Sequence, residues 1–261
     1  MLASDAEYDV YNTPRIGAVQ FGDFVAADGS EREGLLRGAK FVRRTHRARA
    51  YFARGQIGKF LLQPVHNLGL IDTAIDSANA DSTNPKFTEQ KQADAHASLD
   101  ALRGFLALTN VMEIGSKDLI PADDKLQSIE VGGTAVSMEL TCLIKSFDKN
   151  KNERIGAIFL NSQKGRGLGK KSETQAKRRK AGETVSLLVL QRLMDEYSDY
   201  GEPYYQDALH LYLRAKHIWQ APKYYTQRLS NIEAEGRAIA ALWEGVSPPS
   251  DFNPDKATFK S

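Results

Sequence analysis

The sequence carries one cysteine, Cys142, among its 261 residues. That excludes an internal disulfide framework and any multi-cysteine metal knot. It has no apolar run near the roughly 18–20 residues of a membrane-spanning helix, and stretches such as 185–190 are far shorter. The first nine residues are acidic and lack the basic-then-apolar layout of a secretory signal. These absences predict a soluble, cytoplasmic chain with no membrane partner. Net charge is also small, with 35 Lys and Arg against 33 Asp and Glu. With 41% hydrophobic residues, the composition is that of an ordinary globular protein able to bury a core.

Several catalytic signatures are missing too. Asp148-x-Asn150-x-Asn152 opens like a calcium loop, but Glu153 stands where the turn glycine belongs and Phe159 where the bidentate acid belongs. The run from Gly165 to Ser172 suggests a phosphate-binding loop. Lys164 and Lys171, however, occupy the two anchor positions of that motif. There is no Gly-x-Ser-x-Gly elbow. The five histidines (46, 66, 96, 210 and 217) show no metal-ligand spacing. Cys142, among Leu140, Leu143 and Ile144, reads as a buried, inert thiol.

What is present is charge segregation. Residues 30–61 hold nine basic residues against Glu31 and Glu33, and residues 164–180 hold eight against Glu173. Each segment carries +7, so the remainder of the chain carries −12. Such segregation points to a surface facing a polyanion. Ser30-x-x-Glu33 reads as a capping box opening a helix that runs to about Arg54. On that helix Arg32, Arg37, Lys40, Arg43, Arg44, Arg47 and Arg54 fall within an arc of about 140°. The face is either solvated and paired with the acidic body or tracks phosphates. The scarcity of local acids at helical spacing favours phosphates. In the second segment, Lys164, Arg166, Lys170, Lys171, Lys177, Arg178, Arg179 and Lys180 read as a basic loop and helix start lying along nucleic-acid phosphates.

Residues 16–21 and 24–26 read as short extended pieces. Helices are predicted over 31–54, 56–64, 68–79 and 88–109. The period then changes. Residues 126–131 and 134–144 flank Gly132-Gly133, a hairpin signal, and a third strand covers 154–162. A helix ending near Tyr197, a fourth strand over 208–219 and a final helix carrying Leu229, Ile232, Ile239 and Trp243 follow. The expected class is α+β. A helical N-terminal layer (1–87) packs on a small mixed sheet of about four strands in αβββαβ order, with a C-terminal helix (88–246). A disordered tail (247–261) completes the chain.

This element order resembles the core of the PD-(D/E)XK nuclease-like family over roughly residues 88–219. In that family an acid on the second strand and an (Asp/Glu)-x-Lys on the third hold magnesium for phosphodiester hydrolysis. Glu139 matches the second-strand acid. On the third strand the sequence offers Phe159-x-Asn161 or Asn161-x-Gln163, with no carboxylate, so the motif is degenerate. His96 and Asp100 on the preceding helix are the other candidate ligands. Tyr204-Tyr205 and the group of Trp219, Tyr224 and Tyr225 are candidates to stack bases, although rings beside a proline after a strand are more often packing.

The expectation is therefore a nucleic-acid-binding protein, for DNA or RNA, on a degenerate nuclease-like core and without catalysis. Two alternatives stand beside it: a magnesium-dependent nuclease using Glu139, and an assembly subunit, homo-oligomeric or bound to an acidic protein. No metal site follows from the residues themselves. Magnesium enters only with the nuclease reading.

Overall fold

Two periodicities alternate along the chain and sort it into short strands and amphipathic helices. The computed structural model describes residues 7–44, 50–112, 117–123, 127–163 and 171–260. In chain order these form β1 (Tyr8–Tyr11), β2 (Arg15–Gly17), α1 (Ala18–Ala26), α2 (Gly29–Lys40) and β3 (Phe41–Arg43). Then come α3 (Tyr51–Leu61), α4 (Gly69–Ser82), α5 (Glu89–Met112), β4 (Asp118–Pro121), β5 (Ser128–Val131) and β6 (Thr134–Ser137). The last part holds β7 (Cys142–Phe147), β8 (Glu153–Asn161), α6 (Ser172–Glu196), β9 (Glu202–Tyr212), β10 (His217–Gln220), α7 (Thr226–Trp243) and β11 (Ala257–Lys260). The class is α+β, as the pattern implied.

The central sheet has five strands in the order β10-β9-β8-β7-β4. All neighbours in it are antiparallel except β8 and β9, which are parallel. Alternation along the strands gives the sheet two buried faces. Cys142, Ile144, Ile158, Leu160, Leu209 and Leu211 pack against α3, α4 and α5 through Ile57, Phe60, Ile71, Leu102 and Phe105. Leu143, Ile155, Ala157, Phe159 and Ala208 face α6, beyond which lie Phe21, Phe24, Ile239 and Trp243.

Five expectations are corrected. The helix over 31–54 ends at Lys40, where Phe41, Val42 and Arg43 leave it to pair with β1. Ring and β-branched side chains have modest helix propensity, and a long-range ladder outweighs it. Residues 18–26 are helical, not extended, because Ala18, Phe21, Gly22 and Val25 recur at helical spacing and are buried. The segment 134–144 is two strands in different sheets: β6 pairs with β2 and β5, whereas β7 belongs to the central sheet. The first strand of the αβββαβ order is thus β4, and the Gly132-Gly133 hairpin is an insertion. The fourth strand is a hairpin, β9 with β10, turning through residues 213–216.

The fifth correction concerns the tail. Residues 257–260 form β11, parallel to β1 in a three-stranded sheet of order β11-β1-β3. The segment before it is fastened by Phe252, whose ring meets Tyr8 and Phe41 edge-on at 5.7 and 5.1 Å. Tyr8 Oη also donates to Asp251 Oδ1 at 2.7 Å. Removing this wedge in Phe252→Ala is expected to cost about 2–3 kcal/mol. It would be read as a lower denaturant midpoint at unchanged m. An unchanged midpoint would show that the C-terminal segment adds no stability.

Candidate nucleic-acid interface

In the first basic segment, Arg32, Arg37, Lys40, Arg43, Arg44 and Arg54 are engaged within the molecule. Arg32 pairs with Glu235 at 2.8 Å and Arg37 with Glu33 at 2.7 Å. Arg43 reaches Asp251 at 3.5 Å, and Arg44 donates twice to Asp9 Oδ1, at 2.8 and 2.7 Å. Lys40 Nζ donates to the carbonyls of Trp243 and Glu244, at 2.7 and 3.3 Å. It places its charge on the negative end of α7. Because the helix ends at Lys40, no continuous phosphate-facing arc forms. Apart from Glu33, the acids that partner these residues come from remote sequence, which is why local spacing showed so few. Arg47 lies outside the described residues.

Arg54 donates to Glu139 Oε2 at 2.7 Å. Glu139 sits in the connection between β6 and β7, and its side chain is 61% exposed. Among the described residues no three His, Cys, Asp or Glu side chains gather as a metal site. Asp100, one of the candidate helix ligands, pairs with Arg214 at 3.0 Å. Cys142 is fully buried, and burial pushes its thiol up to about 12, so it stays protonated.

The second basic segment lies elsewhere, and its position follows from connectivity. Strands β8 and β9 are parallel, so the chain must cross a face of the sheet between them, and α6 makes that crossing. The N-terminus of α6 therefore lies beyond the carboxyl end of β8, where open α/β sheets leave a crevice. A cleft of about 1130 Å³ occupies this position. One wall is α1 and α2, through Asp23, Glu31 and Leu35; the other is the start of α6, through Lys171, Lys177 and Arg178. The floor is the strand ends, with Asn161, Gln163, His210, Tyr212 and Trp219. The side chain of the N-cap residue, Lys171, makes no capping hydrogen bond to α6.

Basic and acidic groups meet across the cleft. Lys177 bridges Asp28 at 2.8 Å and Glu31 at 3.8 Å, and Arg178 lies 3.8 Å from Asp23. The Lys177 ammonium holds the Asp28 carboxyl below its ordinary range. Arg179 turns away to Glu183 at 2.7 Å, so it is not a cleft residue. Lys171 and Lys180 are exposed. Lys164, Arg166 and Lys170 lie outside the described residues.

The floor is rigid. The His210 tautomer that satisfies both neighbours donates from Nδ1 to the Gly182 carbonyl and accepts at Nε2 from the Asn161 amide, each at 3.3 Å. Asn161 Oδ1 in turn accepts the Gln163 backbone N–H at 3.0 Å. Burial lowers the His210 pKa to about 4. Gly182 is flush with Trp219, and a Cβ there would stand 2.4 Å from three atoms of the indole. Sequence reasoning placed Trp219 only as a loose stacking candidate and gave His210 and Tyr212 no role. The available signal was the alternation of His210 with Tyr212 and of His217 with Trp219, which puts all four rings on one face of a strand pair.

The other aromatic cluster is packing. Tyr204, Tyr205 and Tyr225 neighbour one another, with Tyr205 and Tyr225 against the core and Arg154 over the Tyr204 ring at 4.2 Å. No protein-family model, no curated protein and no solved structure matches this chain.

Two outcomes check the floor. Gly182→Ala is expected to displace the indole and cost about 1–3 kcal/mol, seen as a changed tryptophan emission and a lower denaturant midpoint. The pH dependence follows from His210. Between 6.5 and about 4 the unfolded chain binds a proton that the folded chain refuses. The stability held above pH 6.5 is therefore lost progressively as pH falls through that window, by on the order of 3 kcal/mol. A histidine-proton NMR titration should show one ring that does not titrate until near pH 4, and a midpoint near 6.5 for all five would contradict the buried network.

Proposed function

We propose that this chain binds nucleic acid along the cleft between α1–α2 and the start of α6. The observation that carries the proposal is the crossover itself. It brings the positive end of a 25-residue helix and the basic side chains Lys171, Lys177 and Arg178 to a cleft at the carboxyl end of β8. Such a helix end attracts anions because its first N–H groups lack intrahelical partners. The seven residues joining Gln163 to Lys171 add Lys164, Arg166 and Lys170 to the segment.

The acids on the opposite wall do not close the site to phosphate. Asp28 and Glu31 are 82% and 50% exposed, and ion pairs in that setting contribute about 0–1 kcal/mol. A phosphate that accepts from the same lysine competes readily with them. Arg37, Lys40, Arg43, Arg44 and Arg54 leave the proposed binding surface and stabilise the fold. The αβββαβ order of α5, β4, β7, β8, α6 and β9 supports the nuclease-like resemblance. Glu139 is engaged by Arg54, and among the described residues it is not gathered with other His, Cys, Asp or Glu side chains as a metal site.

Binding of this kind is electrostatic. Fluorescence anisotropy with labelled single strands of about 20 nucleotides should give a log–log salt slope of about −3 from four lysine and arginine contacts. Replacing Lys171, Lys177, Arg178 and Lys180 by alanine is expected to flatten the slope to near zero, or to what residues 164–170 contribute. The Arg37→Ala, Arg44→Ala pair should lower stability and leave the slope unchanged. A salt-independent affinity, or equal weakening by the second set, overturns the proposal.

A further inference from the structure

The register of β8, β9 and β10 lays the cleft floor out in two rows. Phe159 stands opposite His210, which stands opposite Trp219; Asn161 stands opposite Tyr212, which stands opposite His217. Alternation puts all six side chains on the α6 side of the sheet. The His210 and Tyr212 rings lie within 14° of parallel, and the His217 and Trp219 ring centroids are 4.1 Å apart. Phe159, His210 and Tyr212 are buried, whereas Trp219 is half-buried; Tyr212 and Trp219 both line the cleft. The Gln163 amide, Lys171 and Lys177 line the same cleft. Rings, an amide and cations in one cleft match the groups that a nucleotide presents: base face, base edge, phosphate.

We infer that the cleft takes an unpaired base, stacked on Trp219 with Tyr212 alongside, so that the protein selects single strands over duplex. This rests on the nucleic-acid reading above and adds to it the class of strand. The physical ground is access. A base in a duplex has both π-faces covered by its neighbours, whereas a base in a single strand swings out at small cost and gives a face to an aromatic ring. Gly182 contributes by omission. It lets the indole lie flat against α6, fixed on that side before any ligand arrives.

The protein contains two tryptophans, and the other, Trp243, is buried with its indole N–H donating to the Tyr11 carbonyl. Quenching of tryptophan emission by a ligand therefore reports Trp219. Three probes separate the outcomes: a thymidine strand of about 12 nucleotides, the same strand annealed to its complement, and inorganic polyphosphate of similar length. The single strand is expected to quench emission and to bind about tenfold or more tightly than the duplex, while polyphosphate binds without quenching. Trp219→Leu should weaken single-strand binding about 5- to 50-fold and leave duplex binding unchanged. Trp219→Phe, which keeps a ring, should retain most of the preference and control for folding. Equal binding of single strand and duplex without quenching overturns the inference and leaves the nucleic-acid reading standing. Absence of binding by all three probes overturns both.

Discussion

The parallel pairing of β8 with β9 is the constraint on which the rest of the structure depends. An antiparallel partner would need only a tight turn, but a parallel one obliges the chain to travel back across the sheet. Helix α6 makes that journey, and its length places two very different ends in the molecule. The middle and C-terminal part, through Val185, Leu188, Val189 and Leu193, is buried between the central sheet and α1 and α7. The N-terminal turns, from Ser172 to Lys180, emerge at the carboxyl edge of the strands with their charges in solvent. One helix is thus both the centre of the core and one wall of the cleft. Close approach makes this possible, since a Cβ on Gly22 of α1 would stand 2.6 Å from the Ala181 carbonyl oxygen of α6.

The two basic segments look equivalent in sequence and are opposite in structure. In α2, β3 and the residue after it, three arginines meet acids from distant parts of the chain: Arg32 with Glu235, Arg43 with Asp251, Arg44 with Asp9. Arg37 is held by Glu33 one turn away and by the Ser247 carbonyl. These contacts tie the N-terminal elements to α7 and to the C-terminal segment. In α6 the partners of Lys177 and Arg178 lie across the cleft; the Lys177 pair with the exposed Asp28 is at the water interface, where ion pairs are weak and exchangeable, whereas Arg178 is largely covered. The same residue types therefore serve cohesion in one place and, in the proposed reading, recognition in the other, and what separates them is whether the pair borders the cleft.

How much of this was legible follows from range. The helices α4 to α7 and strand β8 could be read from the sequence because their apolar residues repeat over many turns or one long alternation. Leu99, Leu102 and Leu106 in α5, and Val185, Leu188, Val189 and Leu193 in α6, need no partner to be recognised. Three of the failures depend on a partner far away in sequence. Strand β3 has three residues and exists because β1 is there to pair with it. Strand β11 exists for the same reason at the other edge of β1. The run 134–144 is uniformly rich in strand-forming residues, and nothing local marks Met138–Thr141 as the point where the chain passes from one sheet to another. The site was half legible. The charges of 164–180 were visible, but the floor of Asn161, His210, Tyr212 and Trp219 is assembled by register across three strands, and register is set by tertiary pairing.

The account's central claim is that ligand enters at the strand ends under α6. Photocrosslinking a single strand that carries 5-iodouridine, followed by mass spectrometry of the peptides, locates the contact without any substitution. The account predicts crosslinks to Trp219 or Tyr212. Crosslinks confined to Tyr51 and Phe52, the exposed rings at the start of α3 beside Arg54, would place the interface on the opposite side of the central sheet and contradict it.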